Sequence, residues 1–73
     1  MKHLRRIVYK KEQNLIKYTN QIYENGKWIF FNRFMGKFGA TPVIWYDNKE
    51  LAEQFAPKDY KKIEIDTLWQ NSQ

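Results

Sequence analysis

The residues of this chain that are able to do chemistry are those of an adhesive surface rather than a reaction centre. His3 is the only histidine, there is no cysteine, and the single serine is Ser72 near the C-terminus, so a Ser–His or Cys–His nucleophilic pair has little to be built from. A zinc–thiolate site is excluded for the same reason. The carboxylates suggest no general acid–base pair: Asp47, Glu50 and Glu53 have the placement of a helix cap and helix surface, and Glu64 and Asp66 that of an exposed strand face. No calcium-loop spacing is present. No enzymatic activity, metal or cofactor is expected.

What stands out is an aromatic and cationic set. Five phenylalanines, five tyrosines and three tryptophans share the chain with thirteen Lys and Arg against eight acids, a net charge of +5. Residues 1–39 carry nine of the cations and two of the acids, giving +7, and residues 40–73 carry the remainder, giving −2. Such asymmetry suits a polyanionic partner, whether nucleic acid or an acidic protein surface. Trp28, Phe30, Phe34 and Tyr23 are the candidates for stacking or for an apolar contact. Lys17, Lys27, Lys37, Arg5, Arg6 and Arg33 are the candidates for phosphate or carboxylate contacts.

These residues are positioned by the stretch Ile16 to Met35, which reads as a β-hairpin closed at Asn25-Gly26, both of which tolerate the positive φ of a type I′ turn. That turn sets Glu24 opposite Lys27 and fixes the faces. One face takes Ile16, Tyr18, Ile22, Ile29, Phe31 and Met35 with Asn20 and Arg33, and has the composition of a core. The other takes Tyr23, Trp28, Phe30 and Phe34 with Lys17, Thr19, Gln21 and Asn32. Either a further strand or the C-terminal tail covers this second face, or it is a contact surface.

Around the hairpin, Leu4–Lys10 is expected as a strand and Lys10–Asn14 as a polar connection. Gly36-Lys37-Phe38-Gly39 has the glycine content of a turn or loop. Thr41–Tyr46 reads as a strand with Pro42 near its start. Asp47 or Asn48 then caps a helix to about Phe55, with Leu51, Ala52 and Phe55 as its apolar stripe and Pro57 as its stop. Tyr60–Asp66 alternates at Ile63 and Ile65 and is expected as an edge strand. Trp69 either docks or meets a partner, and residues 70–73 fray.

The segment Gly26-Lys27-Trp28-Ile29-Phe30-Phe31-Asn32, with Gly36, resembles the first-strand pattern of cold-shock domains. In that family the aromatics of this strand and the next stack on single-stranded bases. The likeness is confined to that strand: the second aromatic motif is missing, Pro42 interrupts the next strand, and the remaining length is short for the barrel.

The expectation is one α+β domain over residues 1–73, a small antiparallel sheet of about four or five strands in the order β-β-β-β-α-β with one short helix on one face. A chain of this size buries only about 60% of its unfolded surface, so part of the aromatic content serves folding. The N-terminus is not a secretory leader and no run would span a bilayer, so a cytoplasmic protein with no membrane partner is expected. The leading functional expectation is a nucleic-acid-binding module. The competing one is a protein-binding regulator or inhibitor of the phage or mobile-element kind, using the same aromatic face. Either a monomer or a homodimer through that face fits.

Overall fold

Asn25 and Gly26 adopt φ of 54° and 80°, and the hairpin closes in the expected register, with Glu24 opposite Lys27 and Tyr23 opposite Trp28. The computed structural model describes residues 3–39 and 42–70. Strand β1 (Leu4–Glu12) pairs antiparallel with β2 (Leu15–Glu24) across a two-residue reversal at Gln13-Asn14, and β2 pairs antiparallel with β3 (Lys27–Asn32). Ile7 and Val8 at the centre of β1 and Ile22 on β2 are fully buried, as their β-branched side chains favour.

β3 stops at Asn32, short of Met35. The Asn32 side-chain oxygen accepts from the amides of Phe34 (2.8 Å) and Met35 (3.1 Å), an Asx-type bend that ends the alternation. The chain then turns at Gly36 (φ 80°) into β4 (Gly36–Lys37), which returns along β3. The glycine-rich stretch expected to be a loop thus contributes a short fourth strand. The fourth strand expected at 41–46 is replaced by irregular chain that makes one antiparallel bridge, Tyr46 to Tyr18; Thr41 itself lies outside the described residues.

Helix α1 (Lys49–Gln54) is capped by Asn48, whose side chain accepts from the Leu51 amide at 2.8 Å. Of the two candidate caps Asn48 is therefore the one used, and Asp47 instead pairs with Lys17. The helix lies on the isoleucine-bearing side of the sheet. Ala52 is buried there, and its carbonyl accepts from Asn20 Nδ2 at 2.8 Å.

The expected last strand over 60–66 is reduced to two residues, and a further short strand follows it. β5 (Lys61–Lys62) pairs with Leu4 and Arg5, and β6 (Thr67–Leu68) with Val8 and Tyr9, while Ile65 between them is exposed. Both pairings are parallel, so the sheet is mixed rather than antiparallel, in the order β4-β3-β2-β1-β5 with β6 also on β1. The reason is the connection: the segment at Tyr46 runs antiparallel to β2 and hence in the direction of β1, and a helical crossover returns the chain in the direction in which it left. The outcome is a curled mixed sheet with one short helix. No helix among the described residues is long and apolar enough to cross a membrane.

Glu53 ties helix to sheet, pairing with Arg5 of β1 (3.1 Å) and Lys62 of β5. Burial raises its carboxyl, but the Lys62 hydrogen bond and the charges of Arg5 and Lys62 outweigh this and hold it below the ordinary value. A carboxyl depressed on folding contributes stability that is present above its unfolded pKa and is lost as pH falls through the folded one. Urea melts of the wild type and Glu53→Gln should therefore show the wild type more stable at neutral pH, with the gap closing on acidification through that window. A gap independent of pH would show that the charge on Glu53 is not used.

Candidate functional site

The side of the sheet away from the helix is built from alternate residues of three strands: Arg6, Val8 and Lys10 of β1, Lys17, Thr19, Gln21 and Tyr23 of β2, and Trp28 and Phe30 of β3. Its floor is small or amidic, with Val8, Thr19 and Gln21 all buried. A floor of that kind leaves room for the sheet to curl, and rings from three places meet above it. β6 carries Trp69 to this side, its amide donating to Tyr9 O at 2.7 Å. The bridge at Tyr46 places the neighbouring Trp45 nearby. Phe30 packs edge-on against both indoles, with ring centroids 5.0 Å from Trp69 and 5.7 Å from Trp45.

Beside these indoles is a cleft of about 270 Å³ lined by Lys10, Lys11, Glu12, Trp45 and Trp69. Lys10 Nζ lies 4.5 Å from the centroid of Trp45, a cation–π distance. Lys10 and Lys17 are directly opposed across β1 and β2, on the same side of the sheet. Like charges so placed repel. They are partly neutralised at the cleft margin, Lys10 by Glu12 at 3.5 Å and Lys17 by Asp47. Pairs this exposed contribute only about 0–1 kcal/mol and yield readily to a better anion.

The sequence-nominated residues do not form one surface. Trp28 and Tyr23 remain together, edge-on at 5.2 Å, with Tyr23 exposed. Arg6 stacks over Trp28 at 4.1 Å and donates through Nε to Gln21 Oε1 at 2.8 Å. Burial lowers its guanidinium from the ordinary value, which still leaves it charged at neutral pH. Phe30 lies beneath two indoles and is not a free platform. Phe34 is a correction: the Asx bend takes it off this face, and it packs edge-on against Phe55 at 5.6 Å on the helix side, where Arg33 Nε also donates to Ala56 O. Among the nominated cations, Arg5 and Lys37 are paired with Glu53 and Glu24, Lys17 with Asp47, and Lys27 is exposed beside the turn.

Lys10, Lys11, Trp45 and Trp69 were not nominated as a group, because they come from three distant segments. The available signal was three tryptophans in so short a chain, one of them near the terminus. His3, the one histidine, packs against Tyr60 at 5.1 Å, and no group of three or more His, Asp or Glu able to hold a metal ion occurs among the described residues.

Arg6→Ala would leave the buried Gln21 oxygen without its donor and uncover Trp28. A loss of about 1–3 kcal/mol in urea unfolding is expected. An unchanged midpoint would mean that neither contact is needed.

Compared with known proteins, the chain matches no family model, and no curated protein or solved structure is significantly similar to it.

Proposed function

We propose that the protein binds single-stranded nucleic acid through the cleft at Lys10, Lys11, Trp45 and Trp69. The observation that carries this reading is the direct opposition of Lys10 and Lys17 beside two half-exposed indoles. Two like charges held face to face are relieved by an anion placed between them, and phosphate is the anion that arrives with a flat ring able to stack on tryptophan. The cleft, at about 270 Å³, suits one ring system rather than a larger ligand.

This moves the stacking role from Trp28, Phe30 and Phe34 to Trp45 and Trp69. Phe30 becomes the support that holds those indoles edge-on, and Trp28 has one face occupied by Arg6. Duplex is the poorer fit, because its bases are already stacked on one another and offer no free ring to the indoles. Lys11 and Lys17 flank the cleft and would track the backbone.

Fluorescently labelled single-stranded DNA and RNA of about ten nucleotides, with a duplex control, test this by anisotropy at two salt concentrations. Single strands should bind more tightly than duplex, and log affinity should fall with log salt concentration. Trp69→Ala should cost about 1–3 kcal/mol of binding. Lys10→Ala, at a half-exposed position, should weaken binding and reduce the salt slope while leaving the fold unchanged by circular dichroism. Absence of binding at low salt rejects the proposal.

A further inference from the structure

On the helix side of the sheet lies a second cleft, of about 390 Å³, lined by Phe31, Arg33, Phe34, Pro57, Lys58 and Tyr60. Its walls are fixed. Tyr60 stands between His3 and Phe31, with ring centroids at 5.1 and 6.3 Å, and Pro57 is buried. Phe34 is held by the Asx bend at Asn32 and by Phe55, yet the residue is 70% exposed, and Met35 beside it is 55% exposed. An exposed aromatic braced by a neighbouring ring at the rim of a cleft suits the anchor of a protein contact, since bracing lowers the entropy lost when it is covered.

The charge of this cleft is one-sided. Arg33 and Lys58 are its only charged lining residues, and neither is in an ion pair among the described residues. The Arg33 backbone amide donates to Phe55 O and its Nε to Ala56 O, each at 2.9 Å. That anchors the guanidinium and leaves its two terminal amino groups for an incoming acceptor, the geometry that suits a carboxylate.

From this we infer that the cleft docks an acidic segment of a partner protein, an apolar side chain entering between Phe34 and Tyr60 with flanking carboxylates on Arg33 and Lys58. Two cations around apolar walls suit this better than a nucleic-acid backbone, which needs a longer run of positive charge. The site lies on the opposite side of the sheet from Lys10 and Trp69 and stands independently of the nucleic-acid reading.

The test is an amide chemical-shift titration of the isotope-labelled protein with a capped pentapeptide, phenylalanine between pairs of aspartates. Its lysine counterpart and a short single-stranded oligonucleotide serve as comparisons. The acidic peptide should shift the amides of Phe34, Met35, Lys58 and Tyr60, and the lysine peptide should not. Phe34→Ser and Lys58→Glu, both at exposed positions, should each weaken it by about tenfold, whereas Lys10→Ala should not. No shift at millimolar peptide overturns the inference. So do shifts confined to Lys10 and Lys11, or tighter occupation of this same cleft by the oligonucleotide.

Discussion

Three consecutive polar side chains are buried at the middle of β2, and each holds a different part of the molecule. Thr19 Oγ1 donates to Ile44 O at 2.9 Å, Asn20 Nδ2 to Ala52 O at 2.8 Å, and Gln21 Oε1 accepts from Arg6 Nε at 2.8 Å. A buried polar group without a partner costs about 1–3 kcal/mol, so this row narrows the ways in which the irregular segment, the helix and the first strand can be arranged around β2. Asn32 does the same at the end of β3, where that strand leaves β2. It donates to the Tyr46 hydroxyl at 2.6 Å and accepts the two amides of the following bend. The segment around Tyr46 then takes up the edge of β2 that β3 has vacated.

Two surfaces of different chemistry follow from this arrangement. On one side the curl brings Trp45 and Trp69 over Phe30, and the opposed lysines of β1 and β2 remain at the margin. On the other, the helix covers Asn20 and Ile22 but leaves Phe34 and Arg33 beyond its C-terminal end. Part of the charge asymmetry of the chain is met internally, where acids of the C-terminal half meet cations of the N-terminal strands at Arg5–Glu53 and Lys17–Asp47. Under the proposed functions, an anion would be drawn by the local placement of Lys10, Lys11 and Lys17, and of Arg33 and Lys58, as well as by the net charge.

Local chemistry made some of this readable from the chain. Asn25-Gly26 fixes its own turn, the turn fixes the register, and the register assigns every face as far as Phe31. Helix, cap region and proline stop were likewise readable, because each is written within a few residues. The reading failed where a side chain acts on its own backbone: alternation carried Phe34 onto the wrong side because the Asn32 bend has no strong signature. It failed again where placement depends on distant partners. The direction of β5 and β6 is set by the crossover, and the meeting of Lys10, Trp45 and Trp69 by pairings that no local pattern encodes.

The three tryptophans give the most direct test, because Trp45 and Trp69 line the lysine cleft, Trp28 lies apart from it under Arg6, and each has one indole N–H. Indole resonances of the isotope-labelled protein should be followed while a single-stranded oligonucleotide of about eight nucleotides is added. Binding in the lysine cleft predicts that the Trp45 and Trp69 signals move together and saturate, while Trp28, stacked under Arg6, stays in place. Movement of Trp28 alone, or of none of the three, would contradict that placement.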